Sequence, residues 1–409
     1  MGTDKGFGIG MVRWGILGIL MGILMCVISF RIGGYVNRVK RYKPGQKVEI
    51  NLVVTDTPFF IKEGWRENIS GINVLIPAEY ELKIGEKVRV IGTLEERITE
   101  KKDKYLSLRI ETIRRLGVSS GLPVLMARVR AGVISRLMAW LPGDEGGLAA
   151  GILVGGDEVM SDTGVKAFRS AGLAHVVAAS GYNVAVVASG TLTLLTVILG
   201  RGMGMWFVLV FIILYVFVAG GSASVVRAGI MAILIVIGQI WGRKTDGLWI
   251  LGISSLLMLL VKPEWFWDIG FQLSVAATAG IILVGGKNLV KQTLAAYLAT
   301  LPLVLHYFGN LSIVAPLTNV LLIWPVPIVT PVLAAAVILG SVWPAGGGFI
   351  ALLSWPALRL MAGGAEYFSQ FFWSSVTIKP MGWWWVAGYY GTMIGGLIIV
   401  KRKCRQLNG

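Results

Sequence analysis

Histidine and cysteine are nearly missing from this chain, with two of each in 409 residues. Cys26 lies inside an apolar run and Cys404 in a basic tail, which excludes a disulfide framework and a thiolate metal cluster. His175 and His306 are too few for a metal-dependent nuclease, whose two-metal site needs several convergent carboxylates or histidines. Neither a metal nor a cofactor is expected. Acids are also scarce: positions 163 to 409 hold only Asp246, Glu264, Asp268 and Glu366. Charged residues make up 15% of the chain, against about 25% in an average soluble domain. A nucleotide-binding loop is absent. Ser180-Gly181 is half of a nucleophile elbow, but Ala178 stands where the first glycine of G-x-S-x-G belongs, so an intramembrane hydrolase is a distant third reading.

What is abundant is hydrocarbon, 55% of the residues at a mean hydropathy of +0.72. A membrane-spanning helix needs roughly 20 apolar residues. That criterion marks Phe7–Phe30, then 183–199, 205–220, 225–241, 247–261, 268–286, 293–308, 313–341, 348–362 and 384–400, about ten transmembrane or re-entrant helices. The first run is read as a retained helix, because no small-residue cleavage signature follows it. Met25 before Cys26 argues against lipidation. The run 313–341 contains Pro316, Pro325, Pro327 and Pro331 and is expected to be broken. Such backbone survives in a membrane only where protein or a watery cavity covers it.

The polar residues are concentrated near the front. Positions 31 to 120 hold 18 Lys and Arg and 12 Asp and Glu. Within them, Gln46–Val54, Gly71–Ile76, Lys87–Leu94 and Leu106–Ile113 read as strands, with Val48, Ile50 and Leu52 at period two. Lys83-Ile84-Gly85 followed by Glu86–Gly92 looks like the turn and strand of a small OB-type barrel. Val124–Leu141, with Leu125, Val129, Val133, Leu137 and Leu141 about a turn apart, reads as an interfacial amphipathic helix. The divisions are therefore 1–43 (first helix and linker), 44–117 (an all-β OB-like domain), 118–144 (interfacial helix and linker) and 145–409 (helical bundle).

Basic loops set the orientation. Arg201, Arg243, Lys244, Lys287, Lys291, Lys401, Arg402, Lys403 and Arg405 fall on one side, assigned to the cytoplasm, while the opposite loops carry only Lys262. The OB-like insert is then extracytoplasmic, although Arg38, Lys40, Arg41 and Lys43 contradict this for the first helix. The net charge of +16 fits both basic cytoplasmic loops and attraction to a phosphate polymer. Tryptophans at predicted span ends suit an aromatic belt, with base stacking as the alternative.

The densest polar pattern runs from Gly155-Gly156-Asp157 to Ser161, through Phe168-Arg169-Ser170-Ala171-Gly172-Leu173-Ala174-His175, to Ala179-Ser180-Gly181-Tyr182-Asn183. Further along stand Ser224 to Met231 with Arg227-Ala228, Asp268-Ile269-Gly270-Phe271-Gln272-Leu273-Ser274, Thr300-Leu301-Pro302 to Phe308, and Pro316-Leu317-Thr318-Asn319. In order and spacing these resemble the competence-domain signatures of ComEC-type DNA-internalisation proteins, over positions 44 to 345. The short form is implied, without the metallo-β-lactamase-like domain that longer members append.

The resemblance implies a multi-pass inner-membrane channel that imports single-stranded transforming DNA during natural competence, and no enzymatic activity of its own. Its implied partners are single-stranded DNA, a cytoplasmic helicase-like ATPase, an extracytoplasmic DNA receptor, a separate nuclease and the lipid bilayer, with oligomerisation left open. Asp157, Arg169, His175, Ser180, Gly181, Asn183, Arg227, Asp268, Gln272, His306 and Asn319 are the candidate path or motif residues. Arg227 and Asp268 are equally readable as a structural ion pair, and His175 as a buried, hydrogen-bonded imidazole. The alternative function is secondary transport of a small anionic solute, suggested by the broken 313–341 run.

Overall fold

A computed structural model of the chain describes residues 22, 25–37, 39, 41–55, 65–69, 72–98, 104–156, 159–178, 180–284, 288–371, 374–379 and 381–407. Most of the expected first span and Asp157 lie outside them. The chain divides into two compact units: the described residues up to Arg128 with Gly252–Asp268, and Val129–Leu251 with the described residues from Ile269 onward.

The first unit contains a five-stranded sheet of β1 (Lys47–Val53), β2 (Trp65–Ile69), β3 (Ile72–Ile76), β4 (Glu86–Ile98) and β5 (Lys104–Val118). Spatial order is β1-β4-β5-β3-β2. Every pair is antiparallel except β3 with β5, which run parallel in the register Ile72↔Leu106 and Val74↔Leu108. Period-two alternation sends Ile72, Val74 and Ile76 of β3, and Val88, Val90 and Leu94 of β4, into one core with Leu52 and Leu108. At the same period Gly92 replaces a core side chain, because its missing Cβ is occupied by the Arg109 carbonyl across a register shift. Strand β2, sequence WRENI, falls outside the expected strands, since it lacks apolar alternation.

Opposite charges pair across neighbouring strands: Lys47 with Glu111 at 2.9 Å, Arg89 with Glu49 at 3.0 Å and Arg109 with Glu95 at 3.2 Å. The Thr93 hydroxyl and the Lys47 ammonium donate to Glu111 and hold its carboxyl below the usual range. In the same unit, the helical residues 25–37 meet the segment Gly252–Asp268 through Arg31, which donates to the Val261 carbonyl, and through Tyr35 against Trp267.

Helix α1 (Leu122–Trp140) departs from the expected apolar stripe. Val133, Leu137 and Leu141 are buried, but Leu125 and Val129 are exposed while Val124, Ala127, Arg130 and Ile134 turn inward. A strict four-residue step drifts about 40° per turn around a 3.6-residue helix, so the buried face follows mixed three- and four-residue steps instead.

The second unit is helical: α2 (Gly143–Val154), α3 (Asp162–Ser170), α4 (Ala174–Val177), α5 (Gly181–Val218), α6 (Ala223–Ile240), α8 (Ile269–Val284), α9 (Leu289–Tyr307), α10 (Ala315–Leu322), α11 (Val326–Gly340), α12 (Pro344–Leu353), α13 (Trp355–Ser369) and α14 (Trp383–Leu407). Helix α7 (Gly247–Val261) straddles the two units. A small ladder pairs β6 (Asn310–Ser312) with β7 (Ser375–Thr377).

Among the described residues, α5 and α6 are long and apolar enough to cross a membrane, and up to four spans result if each bent pair counts as one. One bent pair is α10 with α11, turned by 51° where Pro325 and Pro327 begin the second helix. The other is α12 with α13, turned by 49° at Ser354, where the apolar run 348–362 predicts a single span.

Helix α5 is itself two arms. Gly200 is non-helical, at φ 78°, and a Cβ on Gly204 would lie 2.7 Å from the Leu195 carbonyl oxygen. Nine residues of straight helix would separate those positions by about 13 Å. Ala188, Leu192 and Leu195 of the first arm share a core with Met205, Val208 and Ile212 of the second, so the chain reverses at Gly200. Each arm is about 27 Å long, close to the roughly 30 Å hydrocarbon core.

The reversal gives a paired expectation. Gly204→Val forces the arms apart and is expected to lower stability by about 1–3 kcal/mol. Gly202→Val, with nothing within 4 Å of its Cβ position, carries only the propensity change. Thermal unfolding of both variants in detergent checks this, and equal losses would contradict the hairpin.

Candidate functional site

Ser180 caps α5 by accepting the Asn183 amide at 3.4 Å. The next residue, Gly181, presses on the first turns of α6: a Cβ there would lie 3.2 Å from the Ala228 Cβ and 3.5 Å from Arg227 Nη2. Two motifs some forty residues apart in sequence thus meet through a glycine. Beside them Asn183 and Arg227 are each 3% exposed. Asn183 Nδ2 and Arg227 Nε and Nη1 have no hydrogen-bond partner. Val184, Ala219 and Val225 form the apolar packing around this point. His175, on α4, keeps accessible surface, and its ring is bonded to the Gly172 backbone.

A second meeting joins the end of α3 to α10. Gly172 adopts φ +74°, and the space of its missing side chain is filled by the Cβ of Ala315. Thr318, fully buried, donates to the Ala171 carbonyl at 2.6 Å, and Ser312 donates to the Ser170 carbonyl at 2.8 Å. Asn319 follows, with a buried Oδ1 that has no partner. Arg169 is exposed in the last turn of α3.

A third meeting gathers Gln272, Tyr307, His306 and Trp383. Tyr307 donates to Gln272 Oε1 at 2.9 Å, joining the start of α8 to the end of α9. The His306 ring bonds the Met381 carbonyl through Nδ1 and lies 4.2 Å from the Trp383 ring. Tyr389 and Tyr390 then donate to the Leu298 and Ala299 carbonyls, which lays α14 against α9. Asp268 is exposed and belongs to the other unit from Arg227 and Gln272.

Three buried or bridging groups escape the sequence reading. Arg130, 8% exposed, donates to the Gly155 carbonyl at 2.9 Å and sits beside Gly220. Glu145, 5% exposed, accepts from Arg359 at 3.0 Å. Asp144 accepts the backbone and hydroxyl of Ser161. The signal for Arg130 is a cation that shares the buried face of α1 with Ala127 and Ile134, apart from the exposed Arg128 of the same helix. Among the described residues no three His, Cys, Asp or Glu side chains come together where they could hold a metal. Small residues, amide and guanidinium donors and aromatic edges line these meeting points.

The competence protein family matches residues 152–403, more than half of the chain. Over 206 residues the chain is 29% identical to ComE operon protein 3 of Bacillus subtilis (strain 168), a stretch that is 48% of this chain and 26% of that protein. The match therefore spans about a quarter of that relative. No solved structure matches.

The second meeting point is sensitive to single atoms. Thr318→Val leaves the buried Ala171 carbonyl without its donor and is expected to cost about 1–3 kcal/mol. Gly172→Val combines a left-handed backbone with a filled contact and is expected to deplete the protein from membranes. Membrane abundance by immunoblot and thermal unfolding in detergent read both. Normal abundance of Gly172→Val would contradict the close contact with Ala315.

Proposed function

We propose, from the premise that the chain belongs to the competence protein family, that it forms a cytoplasmic-membrane passage for single-stranded DNA entering a competent cell. The observation that carries this reading is the pairing of the family-type motifs into donor-rich, carboxylate-poor contacts inside the helical unit. A polyanion crosses such surroundings without meeting a ring of acids. Bent pairs and small residues support it further, since broken backbone at membrane depth is tolerated where it lines a watery cavity.

The OB reading of the insert is supported by its strand order. The sequence β1-β4-β5-β3-β2, with a single parallel pair between the third and fifth strands, is the order of an opened five-stranded OB barrel. Outside the membrane, such a domain receives the strand before it enters. The whole would be a polytopic protein of about ten spans, with its basic tail in the cytoplasm. The reversal at Gly200 puts Arg201 at the opposite end of the hairpin from Gly181 and Arg227, as alternating loops require.

Pulling force then comes from a cytoplasmic helicase-like ATPase, delivery from an extracytoplasmic DNA receptor, and removal of the other strand from a separate nuclease. The two bent pairs, of 51° and 49°, also suit secondary transport of a small anion, whose sites sit at discontinuous helices.

Orientation is tested with single cysteines in a background carrying Cys26→Ser and Cys404→Ser. A membrane-impermeant maleimide is expected to label Lys87→Cys in intact cells and to leave Lys244→Cys unlabelled, and the reverse pattern would invert the topology. Function is tested at His175, whose exposed side chain contributes little to packing. His175→Leu is expected to reduce entry of labelled DNA by at least about tenfold, the loss of one charge-assisted contact, at normal membrane abundance. Full DNA entry, or a matching loss of small-anion uptake with DNA entry intact, would favour the transport reading.

A further inference from the structure

The first turns of α5 and α6 meet at Gly181, and neither helix carries an acid in its first turn. A helix N-terminus bears about half a positive charge and presents backbone donors without intrahelical acceptors. Two such ends beside Arg227 make a strongly positive corner. Arg227 is 3% exposed and keeps Nε and Nη1 without partners, while Asn183, equally buried, keeps Nδ2 without a partner. Every unmet group is a donor.

An unpaired buried guanidinium is expensive, costing several kcal/mol. Such a cost persists where function requires the charge. The guanidinium Nε and Nη1 form the edge that engages two oxygens of one phosphate in parallel, and an amide donor beside them can meet a third acceptor. A Cβ at Gly181 would stand 3.5 Å from Arg227 Nη2, so the glycine keeps side-chain bulk off the guanidinium. Tyr182 is exposed and Ser180 and Gly181 are half-buried, so the corner lies close to the surface of the unit. The ligand this chemistry selects is a phosphate diester.

We propose that Arg227 and Asn183, framed by the N-termini of α5 and α6, bind one phosphodiester group of the transported single strand. This rests on the DNA-uptake reading and adds to it a specific contact. The alternative source of the same chemistry is an anionic lipid headgroup.

The test uses the full chain in phosphatidylcholine nanodiscs, with a fluorescent oligothymidylate as probe. Arg227→Met is expected to weaken binding by about tenfold or more and to lower the slope of log affinity against log salt by about 0.7, the loss of one single-strand phosphate contact. Its thermal midpoint without DNA is expected to be no lower than wild type, because it removes an unpaired buried charge. Asn183→Ala, a smaller change, is expected to weaken binding about threefold.

Three results would overturn the assignment. A lowered midpoint for Arg227→Met with unchanged affinity and salt slope makes Arg227 structural. Arg227-dependent stabilisation by added phosphatidylglycerol, with oligothymidylate binding unchanged in the variant, gives the site to lipid. Oligothymidylate binding that is strong in wild type and equal in both variants removes this contact while leaving the uptake reading standing, whereas no binding by wild type removes both.

Discussion

Close backbone approach through residues without side-chain bulk is the constraint on which the helical unit depends. Between helices in lipid there is little hydrophobic driving force, so association relies on van der Waals contact and interhelical hydrogen bonds. Gly151 lies against the Val177 backbone, Gly172 against Ala315, Gly280 against the Ala295 carbonyl and Gly347 against Gly340. At each point a methyl group would strike a neighbouring backbone or side chain. Once backbones are this close, short hydroxyls such as Thr318 and Ser312 reach carbonyls on another element, and the polar contacts follow from the steric ones.

That arrangement explains why polar groups can be buried here with so few acids. Carbonyls at the ends of α2 and α3 serve as acceptors in place of carboxylates, as Gly155 does for Arg130 and Ala171 for Thr318. Glu145 with Arg359 is an ion pair within this unit that carries a buried acid. Arg227 and Asn183 stand apart because their donors meet no such acceptor. Asn319 Oδ1 and the Ser354 hydroxyl are also buried without partners, but Arg227 alone among these three is a cation, and a buried unpaired charge marks function more readily than packing.

Much of the fold is legible in the sequence. Apolar runs locate α5 to α9, four prolines foretell the bend between α10 and α11, and period-two alternation locates four of the five strands. The turn at Gly200 shows in the sequence only as a gap between two apolar runs. Gly200 alone is non-helical between Gly181 and Val218, and the reversal becomes plain only where Gly204 meets Leu195. Strand β2 escapes because the adjacent Arg66 and Glu67 break any period-two apolar pattern, and the buried face of α1 because a strict four-residue stripe rotates off the contact. The motifs themselves stand out in the sequence, but their partners do not. Ala171 and Thr318 are 147 residues apart, and nothing in either segment specifies the other. His175 and Ser180, close together in the sequence, serve different ends, one exposed and one a helix cap.

The central claim is that DNA crosses the membrane through this chain. The most direct measurement follows fluorescently labelled DNA in competent cells of the parent organism, with the gene for this chain deleted and then restored. The account predicts that DNA still gathers at the surface of the deleted strain, that no labelled strand reaches the cytoplasm, and that the full chain restores its arrival. Arrival of labelled DNA in the cytoplasm at the same rate with and without the chain would contradict it.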